Sequence, residues 1–182
     1  SKDVEPLRNL KSKYGTYFVT GNHEYYSGAL QWVDKVQELG MIHLKNEHRI
    51  LRIGEASLAI AGVTDLMAHH TIKSHKTNPQ KAMRGIPVDM PTIMLAHQPG
   101  TAELTQDLAI DLMLCGHTHG GQFMPFNLAV ARAHKYYAGL YVHDKMQVYV
   151  NRGTGYWGPP LRLGIPSEIT LINLESDVSG MS

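Results

Sequence analysis

"DLMLCGHTHGGQF", residues 111–123, decides the fold. An apolar run too uniform to have a solvent face stops at His117 and His119, with Gly116, Gly120 and Gly121 around them. Uniform apolarity marks a strand buried on both faces, and such strands belong to parallel or mixed sheets covered by helices. The pattern occurs twice more, in "YFVTGNH" (17–23) and "IMLAH" (93–97). In sheets of this kind ligands gather beyond the carboxyl ends of the strands. Neighbouring strands would therefore bring Asn22, His23, His97, His117 and His119 to one rim. There Gly21, Gly116, Gly120 and Gly121 let the backbone turn sharply and a ligand approach the main chain.

Outward from these strands, Ser27 is the expected N-cap of a helix over 28–39 with Leu30, Val33, Val36 and Leu39 on its apolar face and Gly40 as its stop. "MIHL" (41–44), "RILRI" (49–53) and "SLAIAGV" (57–63) read as strands, the last two joined by a hairpin turn in "IGEAS" (53–57). Residues 65–91 read as loop with a short helix, followed after the 93–97 strand by a polar helix near 101–107. "KYYAGLYVHDKMQVYVNRGTGYW" (135–157) and "SEITLINL" (167–174) read as hairpin-connected strands with the first turn in "HDKM". There is no internal repeat, and "ESDVSGMS" (175–182) is expected to be a mobile polar tail.

With 182 residues, 43% of them apolar, the chain is long enough for one packed α/β domain spanning 1–182 and hardly for two. Seventeen basic side chains against sixteen acidic ones leave a net charge of +1, so no global field points to nucleic acid or an anionic membrane. The patch His75, Lys76, Lys81 and Arg84 reads as solvated loop. One cysteine, Cys115, excludes an internal disulfide and reads as a small core residue. No stretch approaches the roughly 20 apolar residues of a membrane span. The opening "SKDVEPLRNLKSKYG" has no apolar signal core and reads as a cut, with any anchor lying upstream.

Single histidines after or within strands are commonly hydrogen-bonded structural residues, the reading given to His43, His48, His134 and His143. His69, His70 and His75 read as solvated loop residues and Asp65 as a turn former. Arg162 and Glu168 are expected to pair and brace the last strands. The outer loops 65–91 and 123–136 are where a substrate would be selected. "QFMPF" with Tyr156 and Trp157 reads either as plain packing or as an apolar lip for a lipid or aromatic leaving group.

"GNHE" (21–24), "LAHQP" (95–99) and "GHTHGGQ" (116–122) resemble the last three motifs of the calcineurin-like metallophosphoesterases, in order and at suitable separations. With "YVNRGTG" (149–155), "PPLR" (159–162) and "SEITLINL", the chain looks most like the bacterial branch whose members often carry an N-terminal membrane anchor. The resemblance runs from about Tyr17 to Leu174. It implies the C-terminal portion of a four-layer α/β/β/α sandwich with mixed sheets. It also implies phosphate-ester hydrolysis by a water activated between two transition metals (Mn, Fe or Zn) held about 3.5–4 Å apart. Asn22, His97 and His117 match the ligands of one metal, and His119 matches a ligand of the other. His23 matches the histidine that contacts the phosphate and protonates the leaving oxygen or stabilises its charge. Amide oxygen with imidazole nitrogen suits such metals better than Ca or Mg.

The family's first two motifs, a D-x-H and a G-D, are absent: the only acids before Asn22 are Asp3 and Glu5. The expectation is therefore an incomplete site in the C-terminal part of a larger enzyme, binding at most one metal weakly and inactive alone. An uncovered sheet face and dimerisation to cover it are expected too. A second reading is a metal-poor binding or scaffold module of the same fold.

Overall fold

The computed structural model describes residues 2–175. The expected polar tail thus lies, but for Glu175, outside the described residues. After a 3-10 turn at Lys2–Asn9, the elements run β1 (Tyr17–Phe18), α1 (Asn22–Tyr26), α2 (Ala29–Glu38), β2 (Ile42–His43), β3 (Glu47–Ile53) and β4 (Ala56–Gly62). Then come α3 (Ala68–Thr71), α4 (Pro79–Met83), β5 (Thr92–Leu95), β6 (Leu112–Cys115), α5 (Phe126–Ala133), β7 (Gly139–His143) and β8 (Met146–Val150).

Six strands form a mixed sheet in the order β3-β4-β5-β6-β8-β7. Its four central strands are parallel, and β3 and β7 run antiparallel at the edges. The uniform apolar runs are the reason for that centre. Met94 and Met113 point into one core, with Val148, Ala61 and Ala82 of α4. Ile93, with Leu95, Leu112 and Leu114, faces the other way, against Leu44 and the β1–β2 pair. β1 and β2 are parallel, joined by the α1–α2 crossover, and form the separate two-stranded sheet. Two sheets, one mixed, with helices around them are the expected α/β architecture.

Several local expectations are corrected. The segment 22–26 is a helix of its own; Ser27 closes it, donating its hydroxyl to the His23 carbonyl at 2.7 Å, and α2 starts from Gly28 instead. Leu30 is exposed, because Ala29, Val36 and Leu39 set the buried face of the helix. His75 is buried, with its Nδ1 2.9 Å from the Tyr25 hydroxyl. "SEITLINL" is not a strand: Ile169 and Leu171 are exposed, and the segment is held by side chains (Glu168 to Tyr149 and Asn151) rather than a ladder. Alternating apolar residues make a strand only where a neighbouring backbone offers its N–H and C=O groups. The Arg162–Glu168 pair does not form; Arg152 stands near Glu168 at 3.8 Å. Residues 126–133, expected as loop, form α5.

Candidate metal centre

All four central parallel strands and β1 end on one rim. Beyond β5 comes His97, beyond β6 come His117 and His119, and beyond β1 the first turn of α1 presents Asn22 and His23. Close backbone approach makes this possible. A Cβ on Gly21 would sit 2.8 Å from three atoms of the His97 ring, so only glycine lets that imidazole lie against the chain before Asn22. Gly21 N–H is fixed in turn by the Glu24 carboxylate at 2.6 Å. The turn after β6 is strained: His117, His119 and Gln122 have φ of 70°, 52° and 60°. Left-handed backbone at non-glycine residues costs free energy and concentrates at functional sites.

Three donor atoms converge. His97 Nε2 lies 2.9 Å from Asn22 Oδ1 and 3.2 Å from His117 Nδ1. One ring nitrogen carrying at most one proton cannot satisfy two such neighbours with two full hydrogen bonds. Ligands about 2.1 Å from a common centre, however, stand about 3.0 Å apart when cis on an octahedron and about 3.4 Å apart on a tetrahedron. Both spacings thus suit a shared cation, and Asn22, His97 and His117 could hold one. Burial, then the positive charge of neighbouring histidines, brings His97 down to about 3 and His117 to about 4, so both rings are neutral with free lone pairs at pH 7. Among the described residues, no three His, Cys, Asp or Glu side chains assemble as a cage; the cluster is two imidazoles and an amide.

His119 stands apart from this trio. Its Nδ1 is 3.2 Å from an Arg162 guanidinium nitrogen, and a backbone hydrogen bond at Gly155 engages the ring too. Burial, then the Arg162 charge, lowers its pKa. Arg162 also donates to the carbonyls of Arg152 (2.7 Å) and Gly155 (2.8 Å), tying the 152–162 loop to the histidine turn. His23 is exposed at the mouth, its ring 5.7 Å from that of Tyr26.

Asn22, His23, His97, His117 and His119 all line one cavity of about 470 Å³. Glu24, Thr118, Val130, His134, Tyr156 and Trp157 complete its wall. His134, expected as a structural histidine, has its ring 5.7 Å from that of His117. Only the unanticipated α5 puts it there, so no local signal could have found it. His43, His48 and His143 lie outside the cavity lining, and the His48 and His143 rings are hydrogen-bonded to Ala82 and Tyr136. Asp65 is buried and engaged by Gln98 Nε2 (2.9 and 3.0 Å) and Met67 N–H (2.9 Å), so it braces the residue after His97. Cys115 is buried in the core, which pushes its thiol pKa up.

No family model matches the chain. A transmembrane protein with metallophosphoesterase domain from Bos taurus is 43% identical over 95% of this chain and 41% of its own length. An uncharacterized metallophosphoesterase from Helicobacter pylori (strain J99) is 43% identical over 93% of this chain and 45% of its own length. The chain thus spans less than half the length of these relatives. Among solved structures, the sulfate thiohydrolase SoxB of Thermus thermophilus matches with a TM-score of 0.52 at 16% identity, over 74% of this chain and 27% of that one. At that identity the likeness is one of fold.

Proposed function

The chain belongs to the metallophosphoesterases, and on that premise we propose that its histidine rim is part of a two-metal site hydrolysing phosphate mono- or diesters. The observation that carries this reading is the approach of His97 Nε2 to Asn22 Oδ1 at 2.9 Å and to His117 Nδ1 at 3.2 Å. These three side chains hold one metal, Mn, Fe or Zn, and His119 belongs to the second. When bound, such metals supply Lewis acidity to the phosphoryl oxygens and acidify a water toward neutral pH. The chain's own residues do the rest. Gly21 and Glu24 fix the turn that presents Asn22 and His23, while Asp65 anchors Gln98 and so steadies His97. His23, exposed at the mouth, is free to contact the phosphate and to give a proton to the leaving oxygen.

Among these 182 residues there is no D-x-H or G-D motif to supply the bridging carboxylate. This chain by itself therefore binds one metal weakly and does not turn over, the missing carboxylates being contributed in the whole protein. A second reading, a metal-poor binding module, draws support from His119, whose ring engages Arg162 rather than a carboxylate.

Titration of the metal-stripped chain with Zn²⁺ or Mn²⁺, followed by calorimetry and thermal melting, tests the proposal. One equivalent should bind and raise Tm; at one hundred times Kd the gain is about 2.7 kcal/mol. His97→Ala should abolish it. Absence of any binding favours the module. Turnover of a chromogenic phosphodiester by this chain, lost in His117→Ala, would overturn the inactive-alone statement and give the bridge to an acid present here.

A further inference from the structure

We propose that the phosphate ester taken by this cavity carries a long hydrocarbon chain, which lies along an apolar row leading from the cavity mouth. The inference rests on the phosphoester reading for the head group and on the row's own geometry for the chain.

The row starts at Tyr156 and Trp157, which line the cavity beside Val130. The Trp157 ring meets Phe126 edge-on at 5.6 Å, and Phe126 stacks on Phe123 at 5.4 Å. Phe123 bridges to Leu163, and Met124 N–H donates to the Leu163 carbonyl at 3.1 Å, so the strips 122–126 and 157–163 run side by side. The row's edges are open, Tyr156 60% exposed, Met124 56% and Leu163 58%, over half-buried Phe123 and Phe126. The wall is nonetheless fixed. The fully buried Gln122 side chain accepts from Trp157 N–H at 2.7 Å and donates to the carbonyls of Trp157 (3.0 Å) and Pro159 (2.9 Å).

Two properties select the ligand class. Three rings in succession, each near 5.5 Å from the next, present more apolar surface than the footprint of a single aryl leaving group, so the row suits a chain. Apart from the Tyr156 hydroxyl and the Trp157 indole N–H, its side chains offer only carbon and the Met124 sulfur, leaving sugar hydroxyls few side-chain partners. The row itself, within residues 116–135 and 152–166, carries no carboxylate, Glu24 being the carboxylate of the cavity wall, where Gly21 N–H engages it.

Trp32 and Trp157 are the only two tryptophans, so Trp32→Phe leaves Trp157 as a local reporter. Its emission is titrated with n-butyl, n-hexyl and n-octyl phosphate below their micelle concentrations, with Zn²⁺ and with chelator. A saturable blue shift is expected. Apparent Kd should fall with each added methylene, by about fourfold at full burial. Tyr156→Ser, a change at an exposed side chain, should flatten that slope while the far-ultraviolet circular dichroism stays unchanged. A Kd independent of chain length, or a slope untouched by both Tyr156→Ser and Phe126→Ser, overturns the row. Equal affinity for octyl phosphate and octanol in Zn²⁺ removes the phosphoester reading instead, and with it the ester half of this proposal.

Discussion

Two adjacent glycines in the histidine turn should respond very differently to the same substitution. Gly120 and Gly121 have φ of 57° and 71°, so alanine at either pays for left-handed backbone, about 1–2 kcal/mol. At either it also regains about 0.4–1 kcal/mol by restricting the unfolded chain. Their surroundings differ. A Cβ on Gly120 would meet side-chain carbons of Arg152 and Ile165 at 3.0 Å, which can give way. A Cβ on Gly121 would sit 2.3 Å from Cα and 3.1 Å from N of Asn127, the backbone of α5. Gly121→Ala must therefore displace the helix that carries Val130 and leads to His134. The two shared contributions cancel in the difference, leaving the overlap of about 1–3 kcal/mol. Urea midpoints at constant m measure it; at about 2–4 °C per kcal/mol for a chain this size, the melting temperatures should differ by about 2–12 °C. A gap below about 0.5 kcal/mol would refute the claim that backbone contact with α5, rather than the sign of φ, makes Gly121 obligatory.

Burial raises the Asp65 carboxyl above its ordinary value. Between about 3.9 and the raised value the folded protein keeps on Asp65 a proton that the unfolded chain has released, so the Asp65 contribution to stability falls as pH climbs through that window, opposing the rise that the lowered His97 and His117 give there. Asp65→Asn should remove that contribution, so that stability rises more steeply with pH across the window, while Glu24, shifted up by burial as well, keeps its own; pH-resolved urea midpoints check it, and an unchanged slope would refute it. Tyr25→Phe deletes a buried hydroxyl shared by His75 Nδ1 (2.9 Å) and Thr20 Oγ1 (3.2 Å) and should cost about 1–3 kcal/mol in thermal or urea unfolding. Because Tyr25 belongs to α1, the same variant should weaken metal binding through Asn22, read by the calorimetric titration.

Residues 93–97 and 112–119 show how far the sequence reaches. A short run with no polar residue has no solvent face, so it can only be a central strand, and the side chain that ends it must emerge on the rim. His97, His117 and His119 were legible on those grounds; Asn22 and His23 follow β1, which is half-buried in the separate two-stranded sheet rather than central, yet the structure brings all five to one cavity. The approach of His97 to both Asn22 and His117, at 2.9 and 3.2 Å, was not legible, because interatomic distance depends on strand order and register. Short elements escaped as well: α1 has five residues, too few for a helical period to declare itself, and α5 was hidden in a stretch read as loop. "SEITLINL" failed in the opposite direction, since alternation specifies a strand only where an edge is available to pair with it.

Local chemistry thus determined the type of the central strands β5 and β6, the rim to which their ligand-bearing ends belong, and the residue types able to hold a metal, because these depend on a few neighbours along the chain. Tertiary structure alone decided that His119 turns to Arg162, 43 positions away, that Tyr25 is held by His75 across 50 positions, and that His134 joins the wall. Those contacts are made between distant segments, and only packing of the whole sheet sets which segments meet.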